Sequence, residues 1–427
     1  MSSTLDARPV VSSPVAPNPA RAATVLTESQ LRDYERDGFL VLRGAIPDAD
    51  IERLERAVDR NPPIDGTLDP TAPVYPAPGR YTLALNCLKD PDLAFLAEHP
   101  AILPVAADVL GDDPRLTAYV IYDRTPGGNG LPIHHDYKRW RPVGSSMNWL
   151  FTIVPFCDYD EAAGPLYVSP GSHLLHRVTP GLERPMEVAP AVTPAESTFV
   201  DPGLKRGDLL LMNQHLWHRA SPNRSTHHRQ GAFNKYAAAS APPATGFFLY
   251  DDDVYEAISP ENRSIIAVHS NKPIATTRAV LLREGKSEPE VLVVPAGDGG
   301  SGRLTLPGGP TFIERAIPDW DHGNLIASLQ AALRSELRIE TPWVSYVGDF
   351  DEGDHLCRVY GYTIPAGLGF PVPYTPGQWL GRSQMESARD QLAYGWETEA
   401  VDRWLDPAPI RGKGLTQAQC RLNQFAY

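Results

Sequence analysis

Apolar and polar positions along this chain change their rhythm several times, and each change predicts an element. Thr27 stands where its side chain can cap a helix running through Arg36, with Glu28 and Asp33 suited to its start and Gly38 to its end. FLVLRG then reads as a short strand. A second helix is predicted from Asp48 to Asp59, because Ile51, Leu54 and Val58 recur at helical spacing. Asn61 to Arg80 is crowded with proline and glycine, which predicts an irregular segment that could lie across the mouth of a site as a lid. From Leu116 onward the pattern shortens into the β-rich runs LTAYVIYDR, SSMNWLFTIVPF, GPLYVS, GDLLLMN and QGAFNKYA, separated by turn signals. So many short strands close most naturally as an antiparallel sandwich or barrel.

Near Ser270 the pattern restarts. RAVLLRE and EVLVVPA read as two apolar strands around a polar turn, followed by a loop and a helix over Leu325 to Leu337. A domain boundary is therefore expected at about residue 270, dividing the chain into 26–270 and 271–427. The first 25 residues, rich in Ser, Pro and Ala but without the continuous apolar core of a signal peptide, read as a disordered tail.

Composition narrows the function. A length of 427 residues allows two ordinary domains, each with its own core, and 42% hydrophobic with 21% charged residues is a globular composition. A net charge of −13 argues against nucleic acid as the partner, since that grip rests on clustered Lys and Arg. No run of roughly 18 apolar residues occurs, so no membrane-spanning helix is expected. Cys87, Cys157, Cys357 and Cys420 lie far apart with no CxxC pair, which suggests neither a disulfide framework nor a zinc site and fits a reducing cytoplasm.

The candidate chemistry begins in LPIHHDY. His134 and Asp136 stand two residues apart, so on an extended strand both side chains leave the same face and can grip one ion. His218, at the end of another apolar run, is the candidate third ligand. Two histidines and one carboxylate on one face of an octahedral ion leave three positions open, which lets non-haem Fe(II) bind a cosubstrate and then dioxygen. Zinc could occupy the same ligands, so they do not fix the metal. A dicarboxylate cosubstrate also needs a cation for its distal end, and Arg229, at the start of the strand after His218, is the candidate.

Each residue also has a plainer reading. A lone histidine is more often a packing or surface residue than a ligand, and this chain has 12; order and spacing single out His134 and His218. His135 reads as the intervening residue facing the other way, and His215, His227 and His228 as structural or solvent-facing. Arg229 could instead hold a buried carboxylate of the protein. Gly127 to Gly130 reads as a mobile loop whose place before the ligand strand suits a substrate gate.

Taken together, TESQLRDYERDGFLVLRGAIP, LPIHHD, AAGPLYVSPGSH, GDLLLMNQHLWHRASPNRS and the arginine eleven residues after His218 resemble the phytanoyl-CoA dioxygenase family, in the family's order, over roughly residues 26 to 245. The resemblance implies a double-stranded β-helix (jelly-roll, cupin-like) domain, mostly β with flanking helices. It implies His134, Asp136 and His218 as Fe(II) ligands, Arg229 as the 2-oxoglutarate anchor, and Trp149 and Ser221 beside the cosubstrate. The implied reaction is hydroxylation, or another oxidation by C–H abstraction, of a small organic molecule in specialised metabolism, using O2 and releasing succinate and CO2. Asp136 favours oxygen over halogen transfer, because related halogenases carry a small residue there. Ala220 departs from the family, which commonly has a hydroxyl two positions after the distal histidine.

The carboxy-terminal part, through RAVLLRE, EVLVVPA, LTLPGG and ASLQAALRSELRIE, resembles a smaller α/β Nudix hydrolase domain. Against that family's REUxEE pattern stand Ser335, Glu336, Leu337, Arg338, Ile339 and Glu340, with Pro342 in place of the following glycine and the upstream glutamate displaced to Glu314. The pattern is degenerate, which implies a scaffold for substrate recognition, packing or self-association into a homo-oligomer. The competing expectations are an inactive binding protein recognising a nucleotide-like ligand through this part, and a two-function enzyme that also cleaves a diphosphate.

Overall fold

A computed structural model of the chain describes residues 24–62, 74–77, 79–83, 85–136, 149–176, 193–240, 242, 246–297, 302–312, 322–341, 344–364 and 377–406. Helix α1 (Glu28–Asp37) starts where Thr27 was expected to cap it: the Thr27 hydroxyl accepts from the Gln30 N–H at 3.2 Å, and Gln30 Oε1 accepts from the Thr27 N–H at 2.9 Å. Strand β1 (Phe39–Leu42) and helix α2 (Asp48–Asp59) follow, the latter burying Ile51, Leu54 and Val58. Of the segment read as a lid, 63–73 and 78 lie outside the described residues, and the rest differs from expectation. Strands β2 (Val74–Ala77) and β3 (Arg80–Leu83) form a hairpin at the rim of a sheet, where Pro76 costs little because an edge strand need not donate on its outer side.

Helices α3 (Pro91–Ala97) and α4 (Leu103–Leu110) precede strands β4 (Pro114–Arg124), β5 (Leu131–His134), β6 (Trp149–Pro155), β7 (Leu166–Val168), β8 (Leu209–Asn213), β9 (His218–Ala220) and β10 (Arg229–Ala238). Among the described residues they make two sheets. The larger has seven strands in the order β1-β8-β6-β10-β4-β3-β2, and the smaller has three in the order β5-β9-β7. Every described pairing in both is antiparallel.

Two apolar layers flank the large sheet. One face buries Leu116, Ile121, Leu150, Leu211 and Tyr236 against the helices through Leu54, Leu93 and Val105. The other buries Phe151, Ile153, Leu210 and Met212 against Leu166, Val168 and Ala220 of the small sheet. The alternation of side chains along each strand makes this division possible, since one residue in two faces each layer. The architecture is therefore mostly β with flanking helices, two antiparallel sheets packed face to face.

After β10 come β11 (Leu249–Tyr250), helix α5 (Asp252–Ala257) and β12 (Val268–His269). A further sheet begins at β13 (Ile274–Arg283), continuing through β14 (Glu290–Pro295), β15 (Leu304–Thr305), β16 (Gly308–Pro310), helix α6 (His322–Leu337), β17 (Ser345–Asp351), β18 (Leu356–Thr363), β19 (Gln378–Gly381), α7 (Arg382–Ser387) and α8 (Glu397–Leu405). It is mixed, with β13 and β18 parallel at its centre. Helix α6 covers one face through Leu325, Leu329 and Leu333, and Met385, Val401 and Trp404 cover the other. Fully buried Arg358 of β18 donates to both Asp349 carboxylate oxygens, at 2.7 and 3.0 Å, and to the Phe247 carbonyl at 2.6 Å, tying this sheet to the segment that follows β10.

Helix α6 ends abruptly. Arg338 takes φ +56°, in the left-handed region, and the Ile339 N–H turns back to the Leu333 carbonyl at 3.2 Å, burying Ile339 against the helix. A side chain with a Cβ pays about 1 kcal/mol for that backbone. Arg338→Gly is therefore expected to be more stable than Arg338→Ala by about 1 kcal/mol in denaturant unfolding. The comparison with alanine removes the side-chain contacts from both sides, so equal stabilities would show that the cap carries no strain.

Candidate metal centre and anion pocket

The small sheet brings together residues far apart in sequence. In the β5–β9 pairing His134 lies directly opposite His218, and Val168 of β7 faces His218 from the other side. The two imidazole centroids are 4.2 Å apart. Asp136 departs from the expectation that it shares a strand face with His134: β5 ends at His134, and Asp136 lies beyond it, its N–H donating to the Gln214 carbonyl at 3.1 Å. That bond ties it to the turn before β9, and Asp136 Oδ2 stands 3.5 Å from His218 Nε2. One ligand atom from each of His134, Asp136 and His218 lies within 4.8 Å of the other two.

The surroundings prepare the histidines to bind a cation. His134 Nδ1 is 2.7 Å from the Pro132 carbonyl oxygen and His218 Nδ1 is 2.9 Å from that of Leu216. Donation from both Nδ1–H groups leaves each Nε2 with a lone pair, the outer partner that orients metal-binding histidines. Burial pushes the His218 pKa down to about 4, outweighing the opposing pull of Asp136, so the ring is neutral near pH 7. Two imidazoles and a carboxylate, with no thiolate, suit a borderline or hard divalent ion.

His135 takes the intervening role, its ring edge-on to Trp217 at 4.7 Å. His215 is fully buried, while His227 is exposed and His228 pairs with Asp123 at 2.9 Å. The glycine loop before β5 is not a loose gate. Gly127 N–H donates to the Asn223 carbonyl and Asn223 N–H to the Gly128 carbonyl, both at 2.9 Å, and a Cβ on Gly130 would lie 2.1 Å from the Ala220 carbonyl. The loop is pinned to the backbone just past His218.

Arg229 opens β10 and is only 3% exposed. Its guanidinium carbon stands 3.6 Å from the Tyr159 ring centroid, and Tyr159 shares the inter-sheet core with Val168 and Ala220. Gly231 makes room for this arrangement, since a Cβ there would meet the Tyr159 hydroxyl at 2.1 Å. Arg229 Nε and Nη2 are buried without an acceptor, and no described carboxylate pairs with it. Ser221 lies just past β9, its N–H donating to the Pro165 carbonyl at 3.0 Å and its carbonyl accepting from Arg124 Nη1 at 2.6 Å. Trp149 opens β6 opposite Ala237, but its side chain lies outside the described residues.

Sequence reasoning overlooked Tyr159 and Arg124. Alternation along LTAYVIYDR puts Arg124 on the face of Val120 and Tyr122, but only strand register shows which residue it stands beside. In the carboxy-terminal part, α6 stops before Glu340, which pairs instead with Arg334 at 2.7 Å. Glu336 is exposed, Glu314 and Pro342 lie outside the described residues, and His134, Asp136 and His218 form the sole cluster of three potential metal ligands found among the described residues.

Residues 34–231 match the profile of the phytanoyl-CoA dioxygenase (PhyH) family. An ectoine dioxygenase of Bordetella parapertussis is 31% identical over 175 residues, covering 38% of this chain and 54% of that protein. The chain thus spans about half the length of that curated relative. Dioxygenase andF of Emericella variicolor is 23% identical, covering 55% of this chain and 81% of its own. Among solved structures, apo EctD from S. alaskensis is similar with a TM-score of 0.43 and 23% identity, over 56% of this chain and 86% of that one. Among the described residues no helix is long and apolar enough to cross a membrane.

If these three side chains form a metal site, the purified protein should bind Co(II) stoichiometrically, read from its visible absorption. His218→Ala should weaken that binding by more than the roughly 10–100-fold cost of losing an outer partner, with unchanged far-ultraviolet circular dichroism. Undiminished binding in the variant would place the ion elsewhere.

Proposed function

We propose that residues 26–270 form an Fe(II)- and 2-oxoglutarate-dependent oxygenase that hydroxylates, or otherwise oxidises by C–H abstraction, a small organic molecule of specialised metabolism. The observation that carries this reading is the convergence of His134, Asp136 and His218 inside the segment that matches the phytanoyl-CoA dioxygenase family. In this reading His134 and His218 hold the ion through Nε2 and Asp136 through its carboxylate. When bound, ferrous iron and 2-oxoglutarate supply, with O2, the oxidising power for C–H cleavage, leaving succinate and CO2 as co-products.

The protein's own part is positioning. Backbone carbonyls of Pro132 and Leu216 hold the two rings in one tautomer, so the ligand set is preorganised. Arg229, buried and with no acceptor at Nε or Nη2, offers its fork to the distal carboxylate of 2-oxoglutarate. The inter-sheet packing around Tyr159, Val168 and Ala220 excludes water from that contact and strengthens it. Trp149 and Ser221 complete the proposed cosubstrate pocket.

For residues 271–427 we propose a Nudix-like scaffold without hydrolase chemistry, serving recognition, packing or self-association. This is supported by the exposed Glu336 and by the diversion of Glu340 into an ion pair.

Anaerobic titration of the protein with Fe(II) and 2-oxoglutarate tests the assignment through the weak visible absorption of the bound 2-oxo acid. The absorption should develop in the wild type and be absent in His218→Ala. Arg229→Ala should require roughly 10–100 times more 2-oxoglutarate, the cost of a charge-assisted bidentate contact. No absorption in the wild type would overturn the oxygenase reading.

A further inference from the structure

Three arginines stand in one row across the large sheet. The β10–β4 register sets Arg229 opposite Arg124, and the β4–β3 register sets Arg124 opposite Arg80. Residues directly opposite on neighbouring strands project from the same face with Cβ atoms about 5 Å apart, where like charges repel. Arg229 and Arg124 are 3% and 6% exposed, and Arg80 is half-buried at the rim. No described carboxylate forms an ion pair with any of the three, although the chain carries 52 Asp and Glu against 39 Lys and Arg. The scarcity of acid at this place is local.

The hydrogen-bond accounting of the two buried members is equally incomplete. Arg124 places Nη1 on the Ser221 carbonyl at 2.6 Å, yet its Nε is buried with no acceptor, as are Nε and Nη2 of Arg229. Three guanidinium nitrogens are thus left with protons and no partner in adjacent residues of one sheet face. Each such group costs free energy that a core does not tolerate without compensation. One carboxylate, with two oxygens and about four lone-pair sites, can accept from all three.

Resting on the proposed oxygenase reading, we infer that Arg124 is a second cosubstrate-binding residue, so that the distal carboxylate of 2-oxoglutarate is held between the Arg124 and Arg229 guanidinium groups. The Ser221 carbonyl aims Arg124 from the backbone just past the metal-ligand strand. Arg124 needs no anion to stay folded in, but its remaining donor finds an acceptor only when one is present. Two cations for one distal charge make the pocket selective for dicarboxylates over 2-oxo acids that end in a methyl group.

The test compares 2-oxoglutarate with 2-oxopentanoate, which has the same chelating end and chain length but no distal carboxylate. Anaerobic binding of each to the Fe(II)-loaded protein is measured by visible absorption and by equilibrium dialysis, in wild type, Arg124→Met and Arg229→Ala. Arg124→Met should weaken 2-oxoglutarate roughly tenfold or more while leaving 2-oxopentanoate within about twofold. Equal weakening of both acids would reduce Arg124 to a clasp on the Ser221 loop and overturn the inference. Unchanged binding of both would overturn it as well. Arg124→Lys, which keeps the charge but not the fork, supplies the same comparison if the methionine variant does not fold. Failure of the wild type to bind either acid would strike the oxygenase reading itself, and is thereby distinguishable from failure at Arg124 alone.

Discussion

The proposed oxygenase site depends on the antiparallel pairing of β5 with β9, which sets His134 opposite His218 across a sequence separation of 84 residues. The pairing spans few residues, too few to stand alone in water. Its support is apolar: Leu166, Val168 and Ala220 of the small sheet pack on Phe151, Ile153, Leu210 and Met212 of the large one. A strand alternates faces at every residue, so a slip of one position would carry His218 away from His134. The inter-sheet core therefore fixes the register, and the register fixes the ligand geometry. Asp136 depends on the same pairing indirectly, through its hydrogen bond to Gln214 in the turn that leads into β9.

Electrostatics place a second demand on this framework. A protein of net charge −13 has ample acid to neutralise a buried arginine, but the described surroundings of Arg229 supply an aromatic ring instead. The Tyr159 face stabilises a cation without consuming its N–H donors, because the attraction is to the ring quadrupole and not to a lone pair. Fully buried Arg358 shows the contrast: Asp349 and the Phe247 carbonyl accept from its guanidinium, and it is structural. Partnering thus separates Arg358, whose donors the fold uses, from Arg229, whose Nε and Nη2 it leaves without acceptors.

Much of this was legible in the sequence because the signals are local. Thr27 and Gly38 bracket α1, Ile51, Leu54 and Val58 define the face of α2, and the apolar runs read as strands contain β6 and β8 and form most of β4 and β10. Helices α3 and α4 escaped notice because they are short and nearly all apolar, leaving no polar face to mark a helical period. The hairpin of β2 and β3 was hidden by Pro76, which breaks a central strand but not a rim strand. The HxD spacing pointed to residues that do converge, by a reason that holds only in part, since Asp136 has already left the strand. Arg124 carries no local signal at all: its neighbourhood with Arg229 exists only through strand register.

In the carboxy-terminal sheet one backbone turn redirects two carboxylates. In sequence Glu336 and Glu340 are one helical turn apart, a spacing at which two carboxylates could share an ion. Arg338 turns left-handed between them, Ile339 is drawn into the core beneath Leu333, and Glu340 emerges off the helix beside Arg334. Burying Ile339 and pooling carboxylates at this helix end are competing uses of the same few residues. The apolar contact prevails because Ile339 has a core to enter and Glu340 has a salt-bridge partner at the surface. What remains is a packed sheet tethered through Arg358 to the segment after β10, a strand that also carries Arg229 at its other end.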